Sequence, residues 1–334
     1  MSGTGNLTVA LDGLGGDGGI ALNLEGARLA LEADPQLCIL VCGPEVEMES
    51  ARSQWPSSLA QRLSFANAEY GLAADAGPAE ALRRGGSSSM GQALRCLVED
   101  RAGAMVSGGS TGGLMVLARH VLGTWPGVDR PALMGELPTV SGSCWMLDLG
   151  ANIQVDARRL HEFARLGRIA VRLLNGREPA IGLLNIGIEP GKGPDLVREA
   201  GRLIESDREL NYRGFVEADQ VFAGRVDLVV CDGFSGNILL KSAEGAVRLM
   251  FEKTRLILGG GLCGWLAKPR LRRLRDSLEP ARHNGAALLG VRGVVIKSHG
   301  GASPAGVAHA IGLAAREARG GLSQAMESQF QAVD

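Results

Sequence analysis

Along nearly its whole length the sequence alternates short apolar runs with longer amphipathic stretches, and no other feature restricts the fold as much. The apolar runs are Leu7–Leu11, Cys38–Cys42, Ala104–Ser107, Ala132–Leu137, Cys144–Leu149, Ala180–Ile186, Leu228–Asp232 and Val294–Lys297. They are nearly continuous rather than alternating, which predicts strands buried on both faces of a parallel sheet. The stretches Ile20–Ala33, Met90–Arg101, Gly113–Leu122, Arg158–Leu174, Leu196–Glu205, Ile238–Leu258 and Pro304–Ala318 carry apolar residues at helical spacing. Repeated strand–helix units predict right-handed crossovers and an α/β fold, a helix/sheet/helix sandwich around a mostly parallel sheet. No tandem repeat or long linker interrupts the 334 residues, so residues 1–334 are expected to form a single α/β domain.

One segment breaks the rhythm. Between residues 255 and 280, apolar Leu256, Ile257, Leu258, Leu262, Trp265, Leu266, Leu271 and Leu274 accompany basic Lys268, Arg270, Arg272, Arg273 and Arg275. Such an inserted apolar and basic segment suits a dimer contact, an anionic membrane surface or an acidic carrier protein.

Composition narrows the function classes. A net charge of −1 and 4% aromatic residues provide neither a basic footprint nor stacking platforms, so no nucleic-acid partner is expected. The six cysteines form no CxxC pair and sit mostly in apolar runs, which predicts reduced, buried thiols. No His/Cys/Asp cluster has metal-ligand spacing, and Asp227 and Asp232, five residues apart in a strand, would face opposite ways. No apolar run approaches the roughly 18 residues of a membrane span, and Met1–Thr8 lacks a signal-peptide pattern. A cytoplasmic protein, at most peripheral at the inner face of a membrane, is expected.

Ligands of a doubly wound sheet bind beyond the carboxyl ends of its strands. The loops there read Asp12-Gly-Leu-Gly-Gly-Asp17, Ser107-Gly-Gly-Ser-Thr-Gly112, Asp148-Leu-Gly-Ala-Asn152, Asn185-Ile-Gly-Ile-Glu189 with Lys192, Asp232-Gly-Phe-Ser-Gly-Asn237 with Lys241, and Ser298-His-Gly-Gly301. If all lie at one edge, they assemble an oxyanion or phosphate pocket. Gly13-x-Gly15-x-x-Gly18 matches a dinucleotide fingerprint, but the second strand ends Cys42-Gly43-Pro44 without the acid that would hold a ribose; a glycine-tight turn is the plainer reading. Ser107, Gly108, Gly109, Ser110, Thr111 and Gly112 form the better phosphate candidate, a Gly/Ser/Thr loop opening a helix; an ordinary N-cap turn is its alternative. Lys192 lies in a Gly/Pro-held loop rather than on a helix face, and His299 is equally readable as a catalytic or a structural group.

Many of these segments occur together in one family. Leu11–Asp17, Ser107–Met115, Arg130–Leu133, Leu147–Asn152, Ile181–Gly187 with Lys192-Gly193, Asn211–Glu217, Val229–Asn237, Leu239–Gly245, Leu288–Gly290 and Gly293–Gly300 follow in order at matching spacing. On these motifs the chain resembles the phosphate acyltransferases of bacterial membrane-lipid synthesis over nearly its whole length. It departs from them at Ser110, where the family usually has Asn, and at residues 283–286. The resemblance implies acyl carrier protein as thioester donor, inorganic phosphate as acceptor, acyl phosphate as product, a homodimer, and no metal or organic cofactor. It also implies a sheet architecture shared with phosphate acetyltransferases and isocitrate-dehydrogenase-like enzymes.

For that chemistry the expected catalytic groups are Lys192 to neutralise phosphate or oxyanion charge, Asn185 and Asn237 as donors, and Asp232 to orient them. Asp12, Asp17, Asp148, Asn152, Glu189, Lys241 and His299 are expected at the same active edge. Cys231, inside an apolar strand, is a poor candidate for an acyl-enzyme. The competing functions are a phosphate acetyl- or butyryltransferase using coenzyme A, a hydroxyacid dehydrogenase of related fold, and a non-catalytic lipid-synthesis scaffold.

Overall fold

Eleven strands form one sheet, and its topology explains where the loops just named end up. In this computed structural model residues 6–73, 75–140, 142–258 and 284–331 are described. The strands are β1 (Leu7–Asp12), β2 (Leu37–Gly43), β3 (Leu63–Asn67), β4 (Ala104–Ser107), β5 (Ala132–Thr139), β6 (Gly142–Leu147), β7 (Ile181–Leu184), β8 (Tyr212–Val216), β9 (Leu228–Val230), β10 (Ala286–Leu289) and β11 (Val295–Lys297). The helices are α1 (Gly19–Ala33), α2 (Glu45–Arg52), α3 (Ser57–Ala60), α4 (Pro78–Arg84), α5 (Ser89–Val98), α6 (Thr111–Leu122), α7 (Ala157–Asn175), α8 (Asp195–Ser206), α9 (Ala218–Val221), α10 (Gly233–Leu258), α11 (Pro304–Arg319) and α12 (Leu322–Phe330).

The spatial order is β3-β2-β1-β4-β11-β10-β5-β6-β9-β7-β8. Seven neighbouring pairs are parallel, and three, β11–β10, β10–β5 and β5–β6, are antiparallel. The mostly parallel α/β sandwich is thus the observed fold. The antiparallel centre reverses the sense of the chain: β3, β2, β1, β4 and β11 run one way, and β6, β9, β7 and β8 run the other. A single active edge, expected from strand–helix alternation, is therefore replaced by two blocks with oppositely directed carboxyl ends.

Strand alternation sends one residue set to each face. Val9 and Leu11 of β1 join Leu147, Ile181 and Leu228 in a core covered by α1, α7, α8 and α11. Ala10 and Met105 face α5 and α6, while Met146 and Val229 face α9 and the start of α10. Helix boundaries follow side-chain caps: Ser88, Ser110, Asp156 and Ser303 each accept a backbone N–H at the start of a helix, and Gly176, left-handed at φ 68°, stops α7. Among the described residues no helix is long and apolar enough to cross a membrane. Of the basic segment expected at 255–280, residues 259–280 lie outside the described residues.

Candidate functional site

The carboxyl ends of β1, β4 and β11 are tied together by a buried carboxylate. Asp12, 1% exposed, accepts from Ser89 Oγ at 2.5 Å and Ser107 Oγ at 2.7 Å. Burial raises its pKa, opposed by those hydroxyls and by the Leu14 and Gly15 backbone. Ser107 Oγ also accepts the Gly109 N–H at 3.1 Å, and the Ser298 N–H donates to the Ser107 carbonyl at 2.8 Å. The Asp17 N–H reaches the Gly300 carbonyl at 2.8 Å. Asp12 thus organises three loops and has no surface left for substrate.

The glycines of the first loop serve the same packing. A Cβ at Gly15 would lie 2.4 Å from Asp12 Oδ2 and 2.9 Å from the Gly109 nitrogen, and one at Gly16 (φ 92°) would lie 2.9 Å from the Gly300 oxygen. Asn23 Nδ2 closes the loop onto α1 through the Gly13 and Gly15 carbonyls, both at 2.9 Å. The glycine pattern is accounted for by contacts between protein loops, which leaves the dinucleotide fingerprint without a structural basis.

Above this knot α6 begins. Ser110 caps it, its Oγ accepting from Gly113 at 3.3 Å. The N–H groups of Thr111 and Gly112 have no intrahelical acceptor at that position, and nothing lies within 4 Å of a Cβ placed on Gly112. Open donors and the positive end of the helix dipole make this a place for an anion.

Lys297, not singled out by the sequence, ends β11 beneath the loop. Its Nζ donates to the Gly108 carbonyl at 3.4 Å and to the Ser298 carbonyl. Burial brings its pKa down to about 8, against the pull of Asp12 and Asp17. The signal in the sequence was a lysine closing an apolar run just before Ser298-His299. Asn284 braces that last loop: its amide donates to Ser298 Oγ and the Gly306 carbonyl, both at 2.8 Å, and accepts the His299 N–H at 2.8 Å. His299 Nδ1 accepts from the Gly301 N–H at 3.0 Å, which leaves Nε2 as the nitrogen facing outward from an exposed ring.

The second cluster stands at the carboxyl ends of β6, β7 and β9. Asp148, fully buried, accepts from the backbone of Leu133, Gly150, Ala151 and Asn152 and from Asn152 Nδ2. Its pKa is raised by burial and held back by those bonds. Asn152 Nδ2 also reaches the Pro131 carbonyl at 2.9 Å. Asp148 and Asn152 therefore build the loop rather than face a ligand.

Asn185, 8% exposed, is also committed: both Nδ2 hydrogens go to carbonyls, of Gly187 and Lys192, at 3.1 Å. The expectation that it donates to substrate gives way to a role in shaping the Lys192 loop. Its Oδ1, however, is buried without a partner. Gly193, at φ 83°, is obligatory beside it, since a Cβ there would sit 1.8 Å from that oxygen. Glu189 serves the same turn through its carbonyl, which accepts the Lys192 N–H at 3.0 Å.

Asp232 accepts from the Ser235 N–H and Oγ at 2.8 Å and so caps α10. Lys241, by contrast, is paired with Glu244 at 2.9 Å on an exposed helix face, so its place at an active edge is withdrawn. Lys192 and Asn237 are exposed, and their side chains make no hydrogen bond or ion pair among the described residues. Asn237 rests against Gly150, whose Cβ would be 3.6 Å from that of Asn237. Cys231 is 3% exposed and its thiol is pushed well above its ordinary range by burial, with Asp148 and Asp232 adding to the effect. That environment opposes a thiolate nucleophile.

Beside Asn185 and Asp232 opens a cavity of about 660 Å³, bounded by α8, α9 and α10 and lined chiefly by apolar side chains. It adjoins the second cluster, whereas the open N-terminus of α6 belongs to the first. No hydrogen bond among the described residues joins the two clusters.

Comparison with known proteins agrees with this architecture. In solved structures the fold is similar to EutD phosphotransacetylase from Staphylococcus aureus, with TM-score 0.59, 19% identity and 94% of each chain covered. A 4-hydroxythreonine-4-phosphate dehydrogenase from Klebsiella pneumoniae is similar at TM-score 0.56 and 13% identity, over 94% of this chain and 99% of that one. At such identities these likenesses speak for the fold alone. In sequence, the phosphate acyltransferase of Pseudomonas savastanoi pv. phaseolicola is 41% identical over 327 residues, covering 97% of this chain and 96% of that one. The phosphate acyltransferase of Nitrosococcus oceani is 41% identical over 334 residues, covering 98% and 97%. Residues 7–325 match the model of the family described as fatty acid synthesis protein, and with these relatives the match shows that the chain belongs to that family and is a phosphate acyltransferase.

Proposed function

We propose that the protein transfers a fatty acyl group from an acyl-carrier-protein thioester to inorganic phosphate, giving acyl phosphate for phospholipid synthesis. The observation that carries the reading is the open helix N-terminus at Thr111 and Gly112, in a chain of this family; Lys192 adds an unpaired ammonium at the other cluster. Hydrogen phosphate rests on the Thr111 and Gly112 N–H groups, with Lys297 below the loop. One phosphate oxygen attacks the thioester carbonyl carbon. Lys192 and Asn237 stabilise the oxyanion of the tetrahedral intermediate. The C–S bond then breaks, and the departing thiolate takes up the proton that hydrogen phosphate gives up. No external base or co-reactant is required.

The reading requires the two clusters, which lie in different strand blocks of the one sheet, to act on one substrate pair.

The same reading takes the protein as a cytoplasmic homodimer, with the 255–280 segment as dimer contact or as a peripheral contact with membrane or carrier protein. Incubation with hexadecanoyl carrier protein and phosphate should produce hexadecanoyl phosphate and free carrier protein. Turnover with acetyl- or butyryl-coenzyme A alone would replace this reading with a phosphotransacetylase-type reaction. No acyl phosphate from any donor would leave a binding scaffold.

A further inference from the structure

We infer that the apolar cavity along the first turns of α10 is the binding site for the acyl chain, and that its small-residue end sets the chain length accepted. The inference rests on the acyl-transfer reading and deepens it. The cavity begins at Asn185 and Asp232, which stand side by side because Leu183 and Val230, two residues earlier, are register partners. From there Phe234, Ser235, Ile238, Leu239, Ser242, Ala243 and Ala246 present one helical face to it. Side chains on this face shrink from Phe and Leu near the strands to Ser and Ala beyond, so the space is made by what is missing from the far end.

The opposite wall is Leu160, Leu183, Val197 and Phe222. From Ser235 to Ala246 the groove follows α10 for about 16 Å at 1.5 Å per residue. A volume of about 660 Å³ lies in the usual range for small-molecule sites, which are mainly apolar with a few polar groups at one place.

A further observation points to a ligand. Phe234, Ile238 and Ile186 are 58%, 50% and 76% exposed around the same cavity, an apolar surface that a hydrocarbon chain would cover. Polar groups at the strand ends and hydrocarbon along the helix match a thioester whose carbonyl stays at the reacting centre while its tail lies on α10.

Filling the far end tests this. Ala243→Phe, and independently Ser242→Phe at an exposed position, should shorten the groove. Wild-type and variant proteins are assayed with octanoyl, dodecanoyl and hexadecanoyl carrier protein at saturating phosphate. Each excluded methylene should cost about fourfold in donor kcat/KM. Activity on the hexadecanoyl donor should therefore fall by tenfold or more, with the octanoyl donor and the phosphate KM nearly unchanged. Equal activity loss at every length in folded variants, or no loss at any, overturns the inference while acyl transfer stands. A changed oligomeric state with unchanged length preference overturns it too, identifying the groove as a subunit contact. Wild-type protein that forms no acyl phosphate with any donor instead defeats the functional reading itself.

Discussion

Lys192 has no counter-ion among the described residues, although Glu189 lies three positions before it in the same turn. An ammonium left unpaired on a Gly/Pro-held loop is free to meet the charge that develops on a substrate. Lys192→Ala should lower kcat on the order of 100-fold or more with little change in melting temperature; turnover within a few-fold of wild type would reduce Lys192 to a solvated side chain. Lys297 makes a different prediction. Its folded pKa, about 8, lies below the ordinary 10.5, so the ammonium is lost as pH rises through about 8. Phosphate KM should rise above about pH 8, and Lys297→Met should abolish that dependence. Stability moves the other way: between about 8 and 10.5 the unfolded chain binds the extra proton, so the fold gains stability as pH rises there. Steady-state kinetics and thermal melts over pH separate the two effects. Sequence pattern alone identified Lys192 from its loop but passed over Lys297, since a residue ending an apolar run reads as the strand's edge. Nor can a sequence show that both amide hydrogens of Asn185 are already spent on carbonyls.

At the scale of elements, α6 is the one whose terminus has an assigned task. Gly112 stands in its first turn with open space around its Cβ position. Gly112→Asp places a carboxylate where phosphate is expected to rest. A negative charge there favours the helix dipole by about 0.3–1 kcal/mol, so the melting temperature should hold or rise. The phosphate KM should nevertheless increase tenfold or more while the donor KM stays near wild type. An unchanged phosphate KM would remove phosphate from α6. Gly109→Val is a less direct probe, because a Cβ there would lie 2.6 Å from Met90 Cε and 3.3 Å from Ser107 Oγ, so neighbouring side chains must shift as well. The long amphipathic helix α7 was legible in the sequence to within a residue, whereas α10 begins five residues before the predicted Ile238. The strands β3, β8 and β10 were not legible. β8 has a mixed sequence, Tyr212-Arg-Gly-Phe-Val216, at one edge of the sheet, where half-exposed positions need no continuous apolar run.

For the whole molecule, the parallel α/β architecture was legible, but the direction of each strand was not: antiparallel pairing depends on partners distant in sequence, such as Ala132 with Leu289. Whole-fold stability also depends on a residue outside either cluster. Glu317 is 3% exposed, neither carboxylate oxygen has a partner, and burial pushes its pKa up to about 8. Its folded pKa exceeds the ordinary 4.5, so the native state holds a proton that the unfolded chain releases. Stability should therefore fall as pH rises from about 4.5 to about 8. Glu317→Gln should flatten that slope and raise stability at pH 8 by on the order of 2 kcal/mol or more, as read by denaturant melts; an unchanged slope would place the proton elsewhere. The sheet order carries a consequence for synthesis. Every residue lining the apolar cavity falls between Leu160 and Ala246, whereas the first cluster needs Asp12 and Ser107 together with Lys297 and Ser298. A chain leaving the ribosome completes the segment for the hydrocarbon tail well before the strand that closes the anion cradle. The proposed acyl groove is encoded locally, whereas the proposed anion cradle waits for the two ends of the polypeptide to meet.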